Sequence, residues 1–242
     1  MNAPQFIHSG AGKKPPVQTM FDHIARRYDL LNHTLSLGLD TRWRKKTLSL
    51  LDLKAGETLL DVATGTGDVG LLAREIVDVV VLGLDFSRQM LAYGQSKVVK
   101  KKASAKILLV QADAERLPLP NESVDAVTIA YGMRNVGFIE STLAEFYRVL
   151  RPGGRTAVLE FSLPEGTWFG PLFNIYFRKI LPALGGLFSS RSAYAYLPES
   201  VRHFPSRDDF MDLMHNEGFI GLECRDLTFG VSTVFLGRKQ LL

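Results

Sequence analysis

A single cysteine, Cys224, is all that the 242 residues contain, so no internal disulfide can form. The five histidines are scattered, and no Cys/His cluster stands at metal-ligand spacing, so no metal is expected. A thiol-poor chain of this kind suits a reducing, cytoplasmic setting. Long apolar runs are also missing. The longest, residues 168–188, is broken by Arg178, Lys179 and Pro182 and makes a poor membrane-spanning helix. Residues 1–18 are polar and rich in Gly, Pro and Lys, without the apolar centre of a secretion signal, and read as a flexible tail. Charge of one sign is scarce too. A formal +4 is too small an excess to require nucleic acid, and the basic run 97–106 reads as a solvated helix end.

What is present is a core. With 46% hydrophobic and 22% charged residues, the chain can fold as one domain over 19–242. Strand-like runs at 58–62, 79–84, 106–110, 124–130 and 155–161 alternate with helical segments at 68–75, 87–102, 139–150 and 207–217. That alternation predicts an α/β fold, a doubly wound and mostly parallel sheet. The first four runs lack polar alternation, as strands covered on both faces should. Runs 221–227 and 231–239, split by Phe229-Gly230, predict a terminal antiparallel hairpin. Two further helices are expected at 20–31 and 41–51. The segment 164–205 interrupts the alternation with Trp168, Phe169, Phe173, Tyr176, Phe177 and Phe188, and reads as a helical, aromatic insertion.

The strongest local signal is Leu59-Leu60-Asp61-Val62-Ala63-Thr64-Gly65-Thr66-Gly67-Asp68. A strand turns here into a helix, and Gly65 and Gly67 let a ligand approach the backbone. With Gly70 they also match the G-x-G-x-x-G pattern of dinucleotide binding, which alone is weak. Asp85, at the end of the next strand, can accept both hydroxyls of a ribose. A nucleoside ligand follows; its identity does not, and a nicotinamide-dependent oxidoreductase stays open at this point. Asp113 and Ala114, after the third strand, add a carboxylate able to take an adenine amino group. Arg148-Val149-Leu150-Arg151-Pro152-Gly153-Gly154 precedes the fifth strand.

Taken together, the run Asp61 with Ala63–Gly67, the Asp113 segment and the Pro152-Gly153-Gly154 turn resemble class I methyltransferases, which bind S-adenosyl-L-methionine. Phe21-Asp22-His23-Ile24-Ala25-Arg26-Arg27-Tyr28-Asp29-Leu30-Leu31-Asn32-His33, Leu35-Ser36-Leu37-Gly38, Arg42-Trp43-Arg44, Gly132-Met133-Arg134-Asn135-Val136, Leu159-Glu160-Phe161-Ser162 and Tyr196-Leu197-Pro198-Glu199-Ser200-Val201 narrow the likeness. Over residues 20–239 the chain resembles the quinone-biosynthesis C-methyltransferases, which act on demethylmenaquinone or on a polyprenyl benzoquinol. The resemblance implies a seven-stranded Rossmann-like sheet and cofactor contacts from Thr64, Asp85, Asp113, Ala114 and the end of the fourth strand at Ala130. Some members carry Ser where this chain has Ala130, which favours the menaquinone reaction over the ubiquinone one.

The implied reaction moves a methyl group to a ring carbon of a reduced polyprenyl quinone, and needs no metal. Aromatic carbon is a poor nucleophile until a hydroxyl proton leaves the ring, so positioning and stabilisation of a phenolate are required. Arg134 and Asn135 are the candidates to hold the quinol oxygen. A guanidinium stays protonated, so Arg134 would stabilise charge or orient a water and would not act as the base. Tyr28 and Asp29 would close the site from the amino-terminal helix. The aromatic insertion would meet the membrane surface at the inner face of the cell membrane, cap the core or form a homodimer contact. Two other classes stay in view: a methyltransferase for another small molecule or RNA, and a lipid-binding module on a retired enzyme fold.

Overall fold

The computed structural model of the protein describes residues 10, 14–164, 170 and 191–241. Seven strands form one sheet: β1 (Thr58–Val62), β2 (Val80–Asp85), β3 (Ile107–Gln111), β4 (Val124–Ala130), β5 (Leu150–Phe161), β6 (Ile220–Leu227) and β7 (Ser232–Arg238). Their order is β3-β2-β1-β4-β5-β7-β6, parallel except for β7, which runs antiparallel to both neighbours. The described helices are α1 (Lys14–Leu35), α2 (Leu39–Leu51), α3 (Asp68–Ile76), α4 (Arg88–Lys100), α5 (Ile139–Val149), α6 (Arg191–Arg202) and α7 (Arg207–Asn216).

Successive strand residues face opposite sides, so β1 supplies Leu59 to one core layer and Leu60 to the other. The first layer packs Ile24, Trp43, Leu51, Ala73 and Met90 from α1–α4 against the sheet. The second packs Leu143, Phe146, Phe210 and Met214 from α5 and α7. Trp43 anchors α2 twice over, donating from Nε1 to Thr228 Oγ1 at 2.9 Å and meeting Phe161 edge-on at 6.2 Å.

Four expectations change. The tail is shorter than 1–18, because α1 starts at Lys14: Pro15 and Pro16 fall in its first turn, where a missing N–H costs nothing, and Val17 is buried. β3 is an edge strand with Leu108 57% exposed, so it is not covered on both faces. β5 begins before the Pro152-Gly153-Gly154 turn: Leu150 already pairs with Val124, and a register shift between Val124 and Ala126 absorbs the extra residues. Lys97 is no solvated helix end but an ion-pairing residue of the site described below, while Lys100, Lys101 and Lys102 are exposed as expected. In the insertion, Trp168, Phe169, Phe173, Tyr176, Phe177 and Phe188 lie outside the described residues; its described end carries α6. No helix among the described residues is long and apolar enough to cross a membrane.

Phe146 is fully buried between α5 and the sheet. Phe146→Ala should lower unfolding free energy by about 3–5 kcal/mol, whereas Leu108→Thr on the open edge should change it by no more than about 0.5 kcal/mol. Urea unfolding midpoints of the two variants check this contrast.

Candidate active site

The sheet order reverses between β1 and β4, and a crevice opens beyond the carboxyl ends of those strands, where open α/β sheets bind ligands. Two loops meet there. After β1 comes Ala63, and after β4 comes Tyr131, both non-glycine residues with positive φ (50° and 62°). Such backbone costs of order 1–3 kcal/mol per residue and persists only where its surroundings impose it. Gly132 explains the closeness of the loops: a Cβ at that position would lie 2.5 Å from the Ala63 Cβ.

The glycine turn is built as expected. Gly65 (φ 57°) and Gly67 (φ 81°) carry the chain from β1 into α3, and Gly67 caps that helix. Asp61 is buried behind the turn, where Thr64 Oγ1 donates to its Oδ2. Its Oδ1 has no hydrogen-bond partner among the described residues. Burial pushes the Asp61 carboxyl up to about 7, against the pull of the Thr64 hydroxyl and the Arg44 charge. Asp85 accepts from Gly65 N at 2.7 Å through one oxygen and from Ser87 N at 2.8 Å through the other. Burial again dominates, raising Asp85 to about 6, opposed by those two amides. Ser87 caps α4, as expected, by accepting from Met90 N.

A single cavity connects these pieces. Gly65, Asp85, Asp113, Ala114, Ala130 and Asn135 all line it, joined by the apolar surfaces of Phe86, Met90 and Ala112. Asp61, Thr64 and Gly67 shape the turn from behind and do not line the cavity. The arrangement fits a nucleoside joined to an amino acid. Asp85 retains acceptor capacity for a ribose, Asp113 adds a second carboxylate to a lining that also carries Phe86, Met90 and Ala112, and the buried Asp61 acceptor lies beneath the glycine turn.

The fourth wall is α1, the amino-terminal helix expected to close the site through Tyr28 and Asp29; the contacts it makes from Lys14, Gln18 and Asp22 were not anticipated. Lys14 Nζ bridges Asp113 (2.6 Å) and Glu115 (2.8 Å), Gln18 donates to the Phe86 carbonyl (3.0 Å), and Asp22 accepts from the Ser87 hydroxyl. Further along, Asp29 accepts from Thr66 Oγ1 at 2.6 Å and pairs with Lys97 at 2.7 Å; Lys97 also pairs with Asp68. At about 100° per residue, positions 14, 18, 22 and 29 fall within an arc of roughly 80°. One face of α1 therefore ties down the segments that follow β1, β2 and β3. The spacing is readable in the sequence, but the partners are not, because they stand 37 to 99 residues away. Tyr28 belongs to α1, and its side chain lies outside the described residues.

Beyond β4, the 3-10 turn Met133–Asn135 sends its two polar residues apart. Asn135 faces the cavity, donating from Nδ2 to the Tyr131 carbonyl (3.2 Å) and accepting from Tyr196 Oη (2.9 Å) at Oδ1. Arg134 is buried, and its Nη1 donates to Glu160 (2.7 Å) and to the Tyr131 carbonyl (2.6 Å). Burial raises Tyr196 to about 12, so its hydroxyl stays a donor. Among the described residues no group of His, Cys, Asp and Glu is arranged to hold a metal.

Sheet order, glycine turn and the acids Asp61 in β1, Asp85 at the end of β2 and Asp113 just after β3 together define a class I S-adenosylmethionine-dependent methyltransferase. The model of the ubiE/COQ5 methyltransferase family matches residues 9–239. A ubiquinone/menaquinone biosynthesis C-methyltransferase from Geobacter sulfurreducens is 45% identical over 227 residues, 93% of this chain and 89% of that protein. A demethylmenaquinone methyltransferase from Thermus thermophilus is also 45% identical, over 91% of this chain and 100% of its own length. Among solved structures, the [4+2]-cyclase SpnF shares the fold at a TM-score of 0.73 over the full length of both chains, with 15% identity. That likeness speaks for architecture alone. The chain belongs to the ubiE/COQ5 methyltransferase family.

The two raised carboxyls predict opposite pH trends. Above the ordinary carboxylate range the folded chain keeps protons on Asp85 and Asp61 that the unfolded chain has released, until they leave at about 6 and about 7, so stability falls as pH rises through those values. The cofactor-free protein should therefore be more stable at pH 5.5 than at pH 8, by on the order of 2 kcal/mol. Cofactor affinity should move the other way, because protonated Asp85 is a weaker ribose acceptor. Urea unfolding and titration calorimetry at the two pH values test both trends, and parallel trends would contradict the assignment of Asp85.

Proposed function

We propose that this protein methylates a ring carbon of a reduced polyprenyl quinone, converting demethylmenaquinol to menaquinol. The observation that carries this reading is 45% identity over nine tenths of the chain to relatives named for quinone biosynthesis, one of them a demethylmenaquinone methyltransferase. Ala130 stands where the resemblance puts Ser in some members, which favours the naphthoquinol over the benzoquinol. Methylation of a 2-methoxy-6-polyprenyl benzoquinol is the second reading, favoured by the dual name of the Geobacter relative.

When bound, S-adenosylmethionine supplies an electrophilic methyl group. Asp85 would hold its ribose, Asp113 and Ala114 its adenine, and the backbone of Gly65 and Ala130 the remainder, with Gly67 shaping the turn behind them. The chain's own task is then to place an aromatic carbon in line and let its hydroxyl lose a proton. Asn135, fixed at both ends of its amide, offers the cavity a rigid polar edge for the quinol oxygen. Arg134, buried and paired with Glu160, backs this edge and grips the Tyr131 carbonyl that Asn135 also uses. Asp29, locked to Thr66 and Lys97, keeps α1 closed over the reacting groups and excludes water.

Incubation with labelled S-adenosylmethionine beside both quinols, followed by product mass, tests the assignment. One added methyl on the naphthoquinol is expected, and exclusive methylation of the benzoquinol would reverse it. A substrate with a polyprenyl tail resides in the bilayer, and the aromatic composition of 164–205 supports peripheral docking there. The protein should co-sediment with anionic liposomes, and Trp168→Ala with Phe169→Ala should release it. Unchanged sedimentation with a changed solution mass would assign these side chains to a dimer contact.

A further inference from the structure

We infer that Glu160 is the positioning residue for the acceptor end of the site, acting through Arg134. The inference rests on the proposed methylation reaction and names a residue that the reaction needs but that has no direct contact with the cavity.

Glu160 stands near the end of β5 and is 1% exposed. Its Oε1 accepts from Arg134 N at 3.1 Å; its Oε2 accepts from Arg134 Nη1 at 2.7 Å and from Phe161 N at 3.1 Å. One carboxylate thus holds both the backbone and the side chain of Arg134. A buried carboxylate inside a sheet is costly unless it is paired and hydrogen-bonded, and this one is both. Glu160, the Tyr131 carbonyl and the Phe161 ring, 5.4 Å from its carbon, all hold the guanidinium.

The hold extends to the cavity. The Tyr131 carbonyl that Arg134 grips also receives Asn135 Nδ2, and Tyr131 sits in left-handed backbone that needs external support. Glu160, Arg134, the Tyr131 carbonyl and Asn135 form one continuous chain of hydrogen bonds from the sheet interior to the site. Charge is carried along with shape. Glu160 cancels most of the Arg134 charge, so an acidic hydroxyl bound at Asn135 sees a nearly neutral pair.

Glu160→Gln separates this role from a purely structural one. It removes the charge and sets an amide NH2 against a backbone N–H or the guanidinium. Calorimetric affinity for S-adenosylmethionine should stay within about twofold, while kcat on the reduced quinone falls by about tenfold or more with little change in KM. The pH–rate profile should shift to lower pH, because a guanidinium that has lost the Glu160 charge favours the phenolate more. Arg134→Ala with Glu160→Gln should be no slower than the slower single variant, since one residue works through the other. The Arg134 side-chain NMR signals, assigned with Arg134→Lys, should shift in Glu160→Gln whether or not turnover is measured. Should Glu160→Gln not fold, Glu160→Asp keeps the charge, and its pH profile should match wild type while kcat drops. Wild-type turnover with an unchanged kcat and pH profile in the variant, or fully multiplicative losses in the double variant, would overturn the inference. A wild type inactive on both quinols, with the NMR shift intact, would instead overturn the methylation reading alone.

Discussion

The contact between Ala63 and Gly132 is the constraint on which the rest of the site depends. It joins the loop after β1 to the loop after β4 across the point where the strand order reverses, and it leaves no space for a side chain at 132. The glycine turn after β1 and the turn after β4 are therefore placed relative to one another by backbone packing, not by flexible side chains. Each loop also carries a residue in left-handed backbone, Ala63 or Tyr131, and each is tied back by a buried acid: Asp61 through Thr64, and Glu160 through Arg134. Strain and buried charge gather on both sides of one crevice, as expected where pre-organisation serves chemistry.

The two acids are stabilised differently. Asp61 has no cation in hydrogen-bond contact among the described residues, keeps one oxygen without a partner there, and is driven toward its neutral form by burial. Glu160 instead pairs with a neighbouring guanidinium and accepts two further hydrogen bonds, both from backbone amides. The first arrangement is poised to gain from a polar ligand; the second is complete without one. This division matches their positions, Asp61 under the cofactor turn and Glu160 behind the acceptor turn.

Much of this was readable along the chain wherever cause and effect are close in sequence. The glycine turn, Asp85, the Ser87 cap and the terminal hairpin each follow from residues a few positions apart, and β1 and β4 match their expected limits residue for residue. What escaped was long-range. Lys14, Gln18 and Asp22 resembled a disordered tail and an ordinary helix until their partners, 65 to 99 residues distant, were brought under them by the sheet. Lys97 looked like one lysine of a basic run because the carboxylates that claim it, Asp29 and Asp68, come from two other helices. Glu160 was visible within a family-like motif, but nothing local to Leu159-Glu160-Phe161-Ser162 reveals that it pairs with Arg134, 26 residues earlier. The exposure of β3 escaped for a related reason, since an apolar run does not disclose that its strand is the last in the sheet.

The same distinction explains why the fold alone under-determines the chemistry. A sheet of this order, closed by an antiparallel β7, also frames a [4+2]-cyclase, so the architecture supplies a crevice and a place for a nucleoside and no more. What narrows the reaction is local to the loop after β4. A polar amide clamped between Tyr131 and Tyr196 suits an acceptor that must be oriented through an oxygen, and a guanidinium balanced by Glu160 suits one whose oxygen becomes negative only briefly. A full positive charge there would hold a phenolate too well and lower the electron density that the ring carbon needs. A nearly neutral pair instead leaves that density available for bond formation, so the buried glutamate serves reactivity as well as shape.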